Sequence, residues 1–399
     1  MASSVKIKMD ASSALEKHPA PVIAMVAGEA SGDTLGADLI ISLKKHYPDA
    51  RFVGIGGPKM LAQGFESWEP MEKLSVMGFF EVLKHLPELL RIRKRLIKKL
   101  LLLKPDVFIG IDAPDFNFKI EATLRQSSIT SVHYVGPSVW GWREKRLKKI
   151  KQYVDGVLVL FPFEPDYYHR YGIPVKFVGH PLAHQFPLVP DTISARKKLN
   201  LPESGKQITA ILPGSRLSEI ESMADLYMQA AAKLALIYPD MIFIVPCVNA
   251  VAKTRIQKSV QEYAENARVY LFDQQSRTVL EACDQVIVTS GTATLECALM
   301  KRPMVIAIKI HPISYWIMKK LATTQWIGLP NILAGESIVT ELIQEEASAD
   351  KIALHLGRLV VDNGLREKQL KAFEQQHRSL KQNASELAAA AIIDWANLP

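Results

Sequence analysis

The chain has 399 residues, 48% of them hydrophobic and 23% charged, and carries a net charge of +8 at pH 7. That length suits two or three domains at roughly 150 residues each, and a composition so close to ordinary globular usage excludes wholesale disorder, a collagen-like repeat and a polytopic membrane protein. Cys247, Cys283 and Cys297 are odd in number and form no C-x-x-C pair, which argues against a disulfide framework and for a reducing compartment.

Residues 1–20 read as an N-terminal extension. Lys6, Lys8, Asp10, Glu16 and Lys17 interrupt the stretch and no apolar h-region precedes Pro21, so a secretory leader is not expected and the chain reads as cytoplasmic. From Val22 onward, short β-branched runs alternate with longer amphipathic stretches, the pattern of parallel strands joined by crossover helices. The first series predicts strands at Val22–Ala27, Phe52–Ile55, Val107–Ile111, Ser131–Val135, Val157–Leu160 and Val175–Val178, with helices around Leu35–His46 and Leu86–Leu103. Gly179–Asp191, with Pro181, Pro187 and Pro190, reads as a linker.

The second series predicts strands at Ile208–Leu212, Met241–Val245, Val269–Phe272, Val286–Val288 and Met304–Ile308. Beyond Ala347 the pattern is helical, and the alanine-rich Leu387–Ile393 is strongly helix-favouring. The fold class is therefore α/β: two Rossmann-like, doubly wound parallel-sheet domains at 21–186 and 187–365, followed by C-terminal helices at 366–399 that pack back toward the first domain. Ligands of open parallel sheets bind outside the carboxyl ends of the strands, so the cleft between two such domains is the expected site.

Three strand ends carry candidate chemistry. The first strand runs into Gly28-Glu29-Ala30-Ser31-Gly32-Asp33, a glycine-rich turn that opens a helix; its spacing is not G-x-G-x-x-G, and a plain turn capped by Ser31 or Asp33 stays open. Val107–Ile111 leads into Asp112, the candidate general base, because a partly desolvated carboxylate there can reach a proton and match its pKa. A turn-forming role for Asp112 before Pro114, and a capping role for Asp115, remain alternatives.

In the second domain one strand ends in Pro213-Gly214-Ser215-Arg216 and another in Ser290-Gly291-Thr292 before a helix that contains Glu296. Both loops suit phosphate: Ser290 to Thr292 offer N–H groups and hydroxyls at a helix N-terminus, and Arg216 can clamp oxygens through charge-assisted bonds. Glu296, one turn inside, is placed to accept from the hydroxyls of a ribose, or simply to complement the helix dipole.

Other constellations are weak. His180 and His184 have i, i+4 spacing, but Pro181 and Pro187 disfavour a regular helix there, so packing is preferred to metal ligation. No H-E-x-x-H, Asp-x-Asp or G-x-S-x-G occurs, so the expected reaction uses no metal and no cofactor. Residues 1–190 hold 26 Lys and Arg against 19 Asp and Glu, concentrated in His85–Lys104 and Arg143–Lys151. Apolar Phe79, Phe80, Val82, Leu83 and Leu86 adjoin that basic segment, as suits the surface of an anionic bilayer; Leu86, Leu89, Leu90, Leu96, Ile97, Leu100 and Leu101 fall on one helical stripe, expected to pack against the sheet. A nucleic-acid role has no motif behind it.

Three ordered segments, Val26–Asp33, Ile109–Asn117 and His133–Arg143, together with Leu212–Arg216, Ser290–Cys297 and Leu329–Gly335, resemble the lipid-A-disaccharide synthases, bacterial glycosyltransferases, over the chain from about Val22 onward. Gly136 and Gly141 depart from the expected Ser and Ala. The resemblance implies a GT-B fold, an acylated acceptor at the first domain near Gly28, Glu29, Ser31, Gly32, Asp33 and Asp115, and UDP held by the second, with Asn331 joining its site. It implies inverting transfer from UDP-2,3-diacylglucosamine to lipid X, with Asp112 as base and Arg216 stabilising the leaving diphosphate. The enzyme would work at the inner-membrane surface, and a second copy of the chain is a further candidate partner. Another UDP-sugar enzyme of this fold, a polyprenyl-acceptor transferase or a UDP-hexosamine 2-epimerase, is the competing reading.

Overall fold

A computed structural model describes residues 20–74, 79–142, 144–322 and 324–398. The extension expected at 1–20 lies outside them apart from Ala20. Among the described residues thirteen strands form two parallel sheets. The first holds β1 (Val22–Ala27), β2 (Arg51–Ile55), β3 (Glu66–Ser67), β4 (Val107–Ile111), β5 (Thr130–Tyr134), β6 (Gly156–Val159) and β7 (Val175–Phe177), in the order β3-β2-β1-β4-β5-β6-β7. The second holds β8 (Ile208–Leu212), β9 (Ile242–Cys247), β10 (Arg268–Asp273), β11 (Gln285–Val288), β12 (Met304–Ile308) and β13 (Thr340–Ile343), in the order β10-β9-β8-β11-β12-β13. Both orders reverse direction beside their first strand, the feature of a doubly wound sheet that opens a ligand crevice at the carboxyl ends.

The cause is visible in the strands. Ile23 to Ala27, Val107 to Ile109, Ile208 and Ile244 are fully buried, since helices cover both faces of these inner strands, whereas the edge strand β10 keeps exposed residues. Contacts divide the chain into two compact units, residues through Val132 with the segment from Ala389, and His133–Ala388. Within the second unit, Tyr227, Met228, Phe243, Ile256 and Ile352 fill one face of the second sheet, while Ile208, Ile244, Leu295, Met304 and Phe373 fill the other.

Local departures from the sequence pattern have physical reasons. β3 and β13 are short, with too little apolar alternation to signal a strand. The first helix begins at Ala30, ahead of the expected Leu35, because its opening turn is polar. In the linker, His180 packs 5.2 Å from the Phe161 ring, and burial lowers its pKa to about 4. The His184 ring nitrogen lies 2.6 Å from the Gln382 carbonyl oxygen. Cys247, Cys283 and Cys297 are free and buried.

Candidate functional site

The carboxyl ends of β8, β9 and β11 surround a cleft of about 580 Å³, and Gly214, Ser215, Arg216, Ser290, Gly291, Thr292 and Glu296 all line it. The two loops differ in what they can offer. Gly214 takes a φ of +128°, and a Cβ there would sit 2.4 Å from that of Glu219. Glu219 occupies the loop's own donors: its Oε2 accepts from the Ser215 N–H at 2.9 Å and the Arg216 N–H at 3.2 Å, and its Oε1 pairs with the Arg216 guanidinium at 3.0 Å. The first loop is thus a closed turn that presents one cation, Arg216. The Arg216 side chain is 81% exposed.

The second loop keeps its donors available. Gly291 is the N-cap of the helix Thr292–Leu299 at φ +140°, no side chain caps that helix, and a Cβ on Gly291 would meet nothing within 4 Å. Left-handed backbone, not crowding, requires glycine here, and the first N–H groups of a helix have no intrahelical partner. Glu296 is half-buried in the cleft wall; burial raises its pKa while Arg277 opposes the rise. Among the described residues no hydrogen-bond donor reaches its carboxylate, which leaves both oxygens free for a diol.

Beneath this loop, Tyr227 donates to the Ala307 carbonyl at 2.7 Å and shares a bond with the Thr289 hydroxyl at 3.1 Å. Ser290 donates to the Ile327 carbonyl at 3.0 Å. Asn331, expected at the UDP site, is not among the residues that line the cleft. It is fully buried: its Oδ1 accepts from Ile338 and Val339, and its Nδ2 donates to the Val339 carbonyl and to Glu341. With its side-chain bonding taken up inside the domain, Asn331 holds a loop beside the cleft. The sequence reading missed Glu219, Tyr227 and Glu341. Only Glu219 left a signal, a glutamate three residues beyond an N-cap.

In the first sheet, register pairs Ala27 with Ile111, so Gly28 and Asp112 follow side by side at neighbouring strand ends. A Cβ on Gly28 would lie 3.3 Å from that of Ala113. Asp112 and Ala113 both take left-handed backbone, φ +53° and +44°, and the buried Asn117 side chain ties down the Asp112 carbonyl at 2.8 Å. Two consecutive non-glycine residues in that region store strain, which tends to gather at functional sites. Asp112 itself is half-buried.

Glu29 and Ser31 are exposed at the start of the first helix, and Gly32 packs on Ala27 and Ile111. Asp33 turns away from this surface. Its carboxylate accepts from the N–H groups of Gly57, Lys59 and Met60 at 2.9 to 3.0 Å and so anchors the start of the helix Pro58–Ala62. Asp115 sits exposed in the first turn of the helix Pro114–Gln126, whose N-cap is Ala113.

The helix Phe79–Leu103 buries Ile92, Leu96 and Leu100 but leaves Leu86 41% and Leu90 45% exposed. The stripe therefore does not pack on the sheet along its full length. The side chains of Phe79, Phe80, Val82 and Leu83 lie outside the described residues, as does Arg143. No helix among the described residues is long and apolar enough to cross a membrane.

A sequence model of the lipid-A-disaccharide synthetase family matches residues 23–392. The lipid-A-disaccharide synthase of Hydrogenovibrio crunogenus is 65% identical over 374 residues, 94% of this chain and 99% of that one. That of Pseudomonas aeruginosa is 47% identical over 371 residues, 93% and 97%. Among solved structures, a kitacinnamycin glycosyltransferase aligns with TM-score 0.60 at 17% identity, covering 95% of this chain and all of the other. The Neisseria meningitidis UDP-GlcNAc 2-epimerase bound to UDP-GlcNAc aligns with TM-score 0.58 at 14% identity, with the same coverage. At such identities the likeness speaks for the fold alone, which is GT-B.

Proposed function

The chain belongs to the lipid-A-disaccharide synthase family, and from that premise we propose that it condenses UDP-2,3-diacylglucosamine with 2,3-diacylglucosamine 1-phosphate, releasing UDP and the β-1,6-linked disaccharide 1-phosphate. The donor is an α-anomer and the product a β-glycoside, so one in-line displacement with inversion accounts for the change. Asp112 takes the proton of the acceptor 6-hydroxyl as that oxygen attacks the anomeric carbon. The bond to the UDP oxygen breaks through an oxocarbenium-like state, and Arg216 with the N–H groups at the start of the helix Thr292–Leu299 stabilises the diphosphate as its charge grows. Glu296 accepts from the ribose hydroxyls.

The observation that most supports this reading is the pairing, in one cleft, of an exposed guanidinium and an uncapped helix N-terminus with a half-buried carboxylate that no hydrogen-bond donor among the described residues reaches. Together these suit a nucleoside diphosphate at both ends. In this scheme Arg216 and the helix supply the positive charge, so turnover needs no divalent metal. The acylated substrates reside in a bilayer, which makes the apolar start of the helix Phe79–Leu103 and its basic neighbours the proposed contact with the anionic membrane surface.

The direct test incubates the protein with both lipids in excess EDTA and follows a tetraacyl disaccharide phosphate by mass. Product formation in step with UDP release is expected. Absence of product with metal and without it would overturn the assigned reaction, whereas activity only after added Mg²⁺ or Mn²⁺ would overturn metal independence.

A further inference from the structure

We propose that Glu341 is a positioning residue for the donor: acting through a single peptide group, it fixes Ser290 at the rim of the nucleotide cleft. The inference rests on that cleft being the donor site. Glu341 lies on the edge strand β13, in register with Ile306, and does not line the cleft. Three donors converge on its half-buried carboxylate: the Ile327 N–H at 2.9 Å on Oε2, and the Gly328 N–H at 2.9 Å and Asn331 Nδ2 at 2.8 Å on Oε1.

The Ile327 carbonyl, whose peptide partner is the Gly328 N–H, accepts the Ser290 hydroxyl at 3.0 Å. A peptide group is planar, and its C=O and N–H point in opposite directions. Ser290 and Glu341 therefore grip the two ends of one rigid plate. Movement of either end turns the other.

Two features keep the plate from relaxing. A Cβ on Gly328 would lie 2.3 Å from Ile306 Cδ1, so the plate is pressed against β12 with no room for a side chain. Asn331 closes the far side by bonding Glu341 and the backbone of Ile338 and Val339 at once. Ser290 precedes Gly291, whose left-handed backbone leaves it little restraint of its own. Fixing Ser290 thus orders the loop whose N–H groups await the diphosphate.

Glu341→Gln keeps shape but replaces one acceptor oxygen with a donor, so one of three N–H groups must lose its partner. UDP affinity and the donor KM should then worsen about tenfold, the scale of one hydrogen bond, with kcat within about twofold of wild type. Ser290→Ala severs the same link from the cleft side and should do likewise. In the Ser290→Ala background, Glu341→Gln should add less than about twofold, since residues acting through one link are not additive.

A merely structural role predicts a different result: a lowered Tm with UDP affinity unchanged in the folded fraction, or fully additive losses in the double variant. Any of these overturns the inference. Should Glu341→Gln fail to fold, Ser290→Ala must by itself show the affinity loss with kcat retained, and unchanged affinity there also overturns it. Arg216→Ala and Glu296→Gln separate the two levels. If neither alters UDP affinity, the donor-site assignment has failed; if they do and Glu341→Gln does not, only the positioning role has.

Discussion

Glu219 sets one carboxylate oxygen 2.9 Å from the Ser215 amide nitrogen and the other 3.0 Å from the Arg216 guanidinium, so one side chain closes the turn after β8 and tethers the cation beside it. The ion pair is exposed and contributes little to stability; the cap is the larger part. Glu219→Ala should lower unfolding free energy by about 1 kcal/mol in urea titrations, the usual scale of a lost N-cap. It should also reduce kcat/KM, because Arg216 loses its tether. Unchanged turnover would show that the guanidinium is aimed by the diphosphate alone.

Arg216 and Glu296 are expected to act at different stages. Arg216→Ala should cost roughly 3–4 kcal/mol in the transition state, as loss of one donor to a developing oxyanion does. Glu296→Gln should weaken UDP binding and leave UDP-independent steps alone. Calorimetry and steady-state rates on the two variants would separate these effects, and equal UDP affinity in both and in wild type would place the nucleotide elsewhere.

For Asp112 the informative change is Asp112→Asn, which preserves volume and removes basicity. A fall in kcat of about 10²–10⁴-fold with UDP affinity retained is the expected range for losing a general base. Near-normal activity would leave the left-handed pair at 112 and 113 as a turn without catalytic purpose.

Glu164 carries a prediction about pH. It is 2% exposed and accepts from Trp140 Nε1 and from the N–H groups of Leu160 and Phe161. Desolvation outweighs those bonds and pushes its carboxyl up to about 7 from the ordinary 4.5. A carboxyl that holds its proton more tightly when folded gives stability that is fully present below about 4.5 and is lost as pH rises through about 7. Glu164→Gln should therefore flatten the dependence of unfolding free energy on pH across that window. If wild type and variant keep the same slope in urea titrations from pH 4.5 to 7.5, the carboxyl does not titrate there.

Membrane contact is tested at the start of the helix Phe79–Leu103. Each basic residue near an anionic leaflet contributes about 1 kcal/mol, within a Debye length. Wild-type flotation with anionic vesicles should therefore weaken in high salt without vanishing, apolar insertion supplying the remainder. Replacing Phe80, Val82 and Leu83 together by Ser should reduce flotation and raise the KM for vesicle-embedded acceptor while UDP affinity stays intact. Flotation and turnover equal to wild type would move the contact elsewhere on the surface.

Much of the fold was legible because strand burial leaves a local trace. β1, β4, β8 and β12 coincide with the apolar runs that predicted them, since a strand covered on both faces must be apolar throughout. The cleft-lining residues after β8 and β11 were legible for a related reason: in a parallel sheet the carboxyl end of a strand is where a ligand meets the chain. The sequence also named Asn331 and Asp33, but it could not tell which partners would claim them. Whether a polar side chain meets a ligand or the protein's own backbone depends on donors far away in the chain. Gly57, Lys59 and Met60 take up Asp33; Ile338, Val339 and Glu341 take up Asn331. Glu341 itself gave no local sign of its part, because the peptide group that links it to Ser290 exists only once β13 has docked against β12 and brought residues fourteen apart in sequence to 2.9 Å. Local pattern determined the strands and their ends; long-range hydrogen bonding decided which of the polar residues there remain free for chemistry.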